Sequence, residues 1–240
     1  MRPWLAVLVT AWLALTGCTG DEPADGQPGG ASSNPDGGVL PTSTAPPIEH
    51  VQQVLDDARL TEQQLGMAAD ESYRRESGLQ TPTFAYCGDH ADPVDQLRLA
   101  RTQRWWKNDA WPWPDEGGYT VGVEIVYYEP GGVEQTMEAF GQVPERCPEA
   151  HYASGTTATF AATQLPASFP AGAVALEDEW TYPEGAKAPG LIVAIPAGDV
   201  LGFLYIRGHE ATVHQRADEL ARRLAGNVAE ADALIKELRP

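Results

Sequence analysis

Val213, Ala217, Leu220, Leu224, Val228, Ala231, Ile235 and Leu238 recur at helical spacing and form one continuous apolar stripe near the end of the chain. A stripe of this kind has to be buried against another layer. The preceding segments supply that layer. Thr156 to Ala162, Ala173 to Trp180, Gly190 to Pro196 and Val200 to Arg207 all read as strands. The last two are joined through Ala197-Gly198-Asp199, a three-residue hairpin loop containing glycine. The expected fold is therefore α+β, an antiparallel sheet flanked by helices, with the long C-terminal amphipathic helix across one face in a two-layer domain. Gly226 is the weak point of that helix, at about 1 kcal/mol against alanine.

The first half adds shorter elements. Ile48, Val51, Val54, Leu55 and Ala58 have helical spacing behind Pro47. In Leu60-Thr61-Glu62-Gln63-Gln64-Leu65-Gly66, Thr61 is placed to cap a short helical turn and Gly66 to end it. Thr83 to Cys87 and Leu97 to Trp106 read as strands, and Tyr119 to Glu129 alternates around Val121, Val123 and Ile125. After the turn at Pro130-Gly131-Gly132, Val133 to Val143 reads as a helix with Val133, Met137 and Phe140 on one face.

The chain starts differently. Arg2 precedes an apolar run, Trp4 to Leu15, of secretory h-region length and shorter than the ~20 residues a membrane span needs. Leu15-Thr16-Gly17-Cys18 follows and resembles the lipobox of bacterial lipoproteins. That resemblance implies a signal peptide over 1–17 and acylation of Cys18, by fatty acids such as palmitate, as the first mature residue. Residues 19–47 are rich in Gly, Pro, Ser, Thr and Asp, and their only large apolar residues are Val39 and Leu40. Such a segment is a disordered tether, with a mean span of about 30 Å. Residues 48–240 then read as a single globular domain.

Cleavage after Gly17 removes one positive charge, Arg2, and takes the net charge from −18 to −19. So acidic a body excludes nucleic acid as a partner, since phosphate binding needs a basic face. It also leaves membrane attachment to the lipid anchor, and places the domain on the extracytoplasmic face of the cell membrane. Cys87 and Cys147 are the cysteines beyond Cys18. In an oxidising envelope two such cysteines pair, which is worth about 4 kcal/mol in the chain-entropy picture. The alternative is a reactive or metal-bound thiol pair, for which no CxxC spacing is present.

The layout resembles the extracytoplasmic sensor-like domain of actinobacterial surface lipoproteins, found also as the outer part of some mycobacterial receptor serine/threonine kinases. The resemblance rests on Leu60 to Leu65, on Cys87 soon after, on the strand–helix unit leading to Cys147, and on the closing strand pair before Ala217 to Leu224. It implies a central antiparallel sheet with flanking helices and a cleft for an unknown ligand. The chain departs from the pattern in having one possible disulfide instead of two. With no kinase or membrane-spanning segment, a signal would pass through a partner.

Catalytic motifs fail on spacing. His209 and His214 are five residues apart, about 140° on a helix, so they do not share the face a zinc helix needs. Cys87 and His90 suggest a nucleophile, but a disulfide cysteine cannot attack and Asp89 and Asp92 surround the pair with negative charge. Glu177-Asp178-Glu179 offers oxygens for calcium, yet on a strand Asp178 points away from its neighbours, so a solvated strand is expected. No metal or cofactor is expected.

One patch stands out. Trp105, Trp106, Trp111 and Trp113, four of the seven tryptophans, fall within nine residues, and Trp111 and Trp113 sit in a proline-interrupted stretch that cannot be a regular central strand and is expected to be a surface loop. They are either an aromatic platform for a glycan, lipid or protein, or a seal for one end of the sheet. The expected function is a membrane-anchored, non-enzymatic ligand-binding or sensing lipoprotein. The alternatives are an envelope hydrolase without a recognisable motif and a structural or chaperone-like accessory lipoprotein.

Overall fold

The computed structural model describes residues 45–67, 75–83, 87, 92–108, 117–208 and 210–239, all within one unit, Ser43–Pro240. The leader, Cys18 and the tether through Thr44 lie outside the described residues. In chain order the helices are α1 (Ile48–Asp57), α2 (Glu62–Leu65), α3 (Gly132–Gly141), α4 (Val143–Arg146) and α5 (Glu210–Glu237). The strands are β1 (Arg75–Ser77), β2 (Arg98–Lys107), β3 (Tyr119–Tyr128), β4 (Glu149–His151), β5 (Thr157–Thr163), β6 (Val174–Thr181), β7 (Lys187–Ala197) and β8 (Val200–Gly208). A 3-10 turn, Pro93–Leu97, leads into β2.

All eight strands form one antiparallel sheet in the order β1-β2-β3-β8-β7-β6-β5-β4. The α+β class is as expected. The stripe of α5 behaves as its spacing requires, with Ala217, Leu220, Leu224, Val228, Ala231 and Ile235 buried, most of them in one core with Val123, Ile125, Val193 and Leu204. Val51 and Leu55 of α1 join the same core.

The two-layer expectation is corrected, because the other face is covered too. Val133 and Phe140 of α3 and Val143 of α4 pack there with Val126, Tyr128, Ile192, Leu201 and Phe203. The reason lies in β3, where nine of ten positions are buried: its odd residues meet α1 and α5 and its even residues the second face.

Local signals are met in detail. Thr61 and Gln64 form a capping box around α2, and Gly66 ends it in the left-handed region at φ 64°. The β7–β8 hairpin is tighter than expected: Ala197 pairs with Val200, leaving a two-residue loop, Gly198-Asp199. Of the strand expected over Thr83 to Cys87, Thr83 lies in a turn and residues 84–86 are outside the described residues. β1 and β4, each three residues long, have no counterpart in the sequence pattern. Cys87 and Cys147 form a disulfide that spans 60 residues of sequence, with Cα atoms 5.5 Å apart.

Candidate functional site

Two glycines inside central strands shape the sheet face opposite α5. Trp105 of β2, Gly122 of β3 and Tyr205 of β8 stand in register. The Trp105 ring lies over Gly122, where a Cβ would meet three of its ring carbons at 2.8 Å, and it stacks on Tyr205 at 5.2 Å between centroids. One step along, Arg207 of β8, Gly190 of β7 and Asp178 of β6 are in register. The Arg207 Nε donates to Asp178 Oδ2 at 2.8 Å across the space that Gly190 leaves open.

These side chains continue a ladder across the face. The Arg207 guanidinium lies 4.3 Å from the Trp180 ring on one side and 5.2 Å from the Trp105 ring on the other. Tyr152 stacks on Trp180 at 4.9 Å, and Tyr205 stacks on Phe203 at 6.2 Å. The Trp180 Nε1 donates to Asp178 Oδ2 at 2.5 Å. The ladder is graded in exposure: Tyr152 and Trp180 are half-buried, the Arg207 side chain is 12% exposed, and the Asp178 side chain has no exposure.

A second polar centre lies on the same face. Glu124 is wholly buried in β3, and four donors converge on it. Its Oε1 accepts from Arg101 Nε at 2.5 Å and Thr83 Oγ1 at 2.7 Å, and its Oε2 from Gln103 Nε2 at 3.0 Å and Tyr205 OH at 2.7 Å. A buried charge needs such compensation. Tyr205 therefore joins the two centres, its ring in the ladder and its hydroxyl on Glu124.

The crossover into β2 is fastened to this centre. Arg98 donates to the carbonyls of Asp95, Thr81 and Leu79 and to Thr83 Oγ1, and it pairs with Asp95 Oδ1 at 3.2 Å. Burial raises the Asp95 carboxyl above its ordinary value of 3.8, and the Arg98 guanidinium opposes the shift. Burial likewise raises the Tyr128 phenol. Asp92 caps the 3-10 turn and pairs with Arg146, next to the disulfide.

The four tryptophans do not form one loop platform. β2 runs through Lys107, so Trp105 and Trp106 point to opposite faces. Trp106 is wholly buried in the core beneath α1 and α5, with the Arg104 guanidinium over its ring at 5.3 Å. Trp105 alone of the two reaches the ladder. Trp111 and Trp113 lie outside the described residues, as do His90 and His209. Glu177 and Glu179 alternate with Asp178 as expected, but Asp178 is buried rather than solvated. Among the described residues, no three His, Cys, Asp or Glu side chains are grouped to hold a metal.

No protein-family model matches the chain, and no curated protein matches it in sequence. Among solved structures, the extracellular domain of PknH from Mycobacterium tuberculosis is 13% identical, with a TM-score of 0.46, over 75% of this chain and 96% of that one. CalU16 from Micromonospora echinospora is 12% identical, with a TM-score of 0.27, over 58% and 95%. At such identities and scores these likenesses assign neither a family nor a ligand. Among the described residues, no helix is long and apolar enough to cross a membrane.

Proposed function

We propose that the chain is a lipid-anchored, non-enzymatic binding or sensing domain of the cell envelope, acylated at Cys18. Its ligand face is the outer end of the ladder, where Tyr152 and Trp180 are half-buried and the Arg207 side chain keeps 12% exposure, with Trp105 and Tyr205 buried behind them. The reading is carried by the Asp178–Arg207 pair, buried above Gly190 and flanked by two indoles. Burying an ion pair is costly, and apolar residues of similar size commonly serve stability as well or better. A sheet face meant only for packing gains nothing from that pair, whereas recognition needs polar groups set among aromatic walls. The anchor follows from the Leu15-Thr16-Gly17-Cys18 pattern, and multiple acyl chains on one cysteine attach a protein stably.

The test uses the full chain in a lipoprotein-processing bacterium. Detergent-phase partitioning and mass spectrometry of the mature amino end should find an acylated Cys18, and Cys18→Ser should release the protein to the aqueous phase. Native mass spectrometry of the purified chain should show a bound small molecule that Trp180→Ala loses. An unmodified amino end overturns the anchor. A ligand retained by a folded Trp180→Ala variant overturns the site.

A further inference from the structure

We propose that the groove between α1 and α5, on the sheet face away from the ladder, docks a basic segment of a partner polypeptide by taking one of its lysine or arginine side chains. The groove arises from how the two helices divide their apolar residues. Val51 and Leu55 of α1, and Val228 and Ile235 of α5, turn into the core. Val54 and Ala58 of α1, with Ala231 and Leu234 of α5, line instead a groove of about 260 Å³ between the helices. Asn227 Nδ2 donates to the Ala58 carbonyl at 3.0 Å and ties the two helices together there. Leu234 is left 43% exposed, so solvent reaches the groove along an apolar wall.

The charges of the lining name the occupant. Arg59 is its cation and is already matched: Nε donates to the Asp56 carbonyl at 2.8 Å, and Nη2 lies 3.6 Å from Asp56 Oδ1. Asp57 on α1 and Glu230 on α5 also line the groove, and both are exposed. Asp57 accepts from the Gln53 side-chain amide, and neither carboxylate meets a cation among the described residues. An apolar groove with an unmatched carboxylate on each helix suits a long cationic side chain. Its stem lies along Val54, Ala58, Ala231 and Leu234, and its charge stays at the rim beside Asp57 and Glu230. An acidic side chain would be repelled there, and an apolar one would leave both carboxylates unmatched. A second copy of this chain would set a net charge of −18 against its own, so the partner is a different, basic polypeptide. The same field steers such a partner in from a distance. The volume is below the ~300 Å³ at which small-molecule pockets begin, and suits one anchoring side chain of a wider contact.

The experiment selects a displayed library of random peptides against the full chain in detergent, then labels an enriched peptide for fluorescence anisotropy. Enriched peptides should carry lysine or arginine beside an apolar residue. Binding of the labelled peptide should saturate, and should weaken about tenfold in Glu230→Lys and in Leu234→Ala. Both side chains are exposed, so the variants keep the fold, which circular dichroism checks. Glu134→Lys makes the same change of charge at an exposed position of α3, across the sheet, and should leave the affinity as it is. Spermine is the free-polyamine probe and should compete weakly. No enrichment, or enriched peptides without basic residues, overturns the proposal. So does binding that only one of the two groove variants weakens, or neither, since a surface charge or a greasy contact alone is not this groove. Equal weakening by Glu134→Lys assigns the effect to the overall field and overturns the site. Spermine that binds as tightly as the peptide and displaces it overturns the polypeptide partner.

Discussion

Asp178 and Arg207 belong to strands that are not neighbours, yet their side chains meet at 2.8 Å because β7 places a glycine between them. Gly190 is the condition for the pair. A methyl there would overlap Asp178 Oδ1, and would lie 2.8 Å from Arg207 Cγ and 2.8 Å from the Ile206 carbonyl oxygen. Backbone cannot retreat as a flexible side chain can. Gly190→Ala is expected to cost about 3 kcal/mol, from overpacking together with the disturbed buried pair. Urea denaturation reads the loss. A change within about 0.5 kcal/mol would mean that the sheet face accommodates the methyl, and that the glycine is not what holds the pair.

The opposite sign is expected at Gly226. It sits in the interior of α5, and a Cβ built there has nothing within 4 Å. Gly226→Ala removes backbone freedom from the unfolded chain without a clash in the folded one. It should stabilise by about 0.5–1 kcal/mol, seen as a rise in Tm.

The disulfide gives the largest entropic effect. It closes a span of 60 residues between Cys87 and Cys147. Replacing both cysteines with serine should destabilise by about 4 kcal/mol in the chain-entropy model. Equilibrium unfolding of oxidised, reduced and doubly substituted protein measures it, and the reduced and substituted forms should agree.

Much of this fold was legible because its signals are local or periodic. Thr61, Gln64 and Gly66 announce α2 through capping chemistry that involves neighbouring residues alone. The α5 stripe and the alternation around Val121, Val123 and Ile125 follow from helix and strand periods. The candidate site was less legible because it is built across strands far apart in sequence. Glu124 takes its donors from residues 83, 101, 103 and 205, and no spacing in the chain foretells that convergence. Two signals were nonetheless present. A glutamate stands in the apolar run Val121 to Val126, and glycines interrupt two strands at 122 and 190. The tryptophan cluster misled for the converse reason: adjacent residues on a strand part to opposite faces, so Trp105 and Trp106 never shared a surface.

Asp95 supplies a pH dependence whose sign is fixed by burial. Its folded-state value is raised above 3.8, so the native state binds the proton more tightly than the unfolded chain does. The stabilising contribution of protonation is full below 3.8 and is lost as pH rises through the raised folded value. Above that value the ionised, buried carboxylate opposes folding, though Arg98 and the Thr83 N–H, which donates to Asp95 Oδ1 at 3.0 Å, temper the cost. The side-chain amide of an Asp95→Asn variant keeps an acceptor for the Thr83 N–H and has no proton to gain. Unfolding free energies of wild type and variant, measured through the acid range, should therefore differ by an amount that depends on pH. Wild type should lose stability relative to the variant as pH climbs from 3.8 upward, and the difference should level off once Asp95 is fully ionised. A difference that is flat with pH would show that Arg98 and the Thr83 N–H cancel the effect of burial, and one that slopes the other way that they outweigh it.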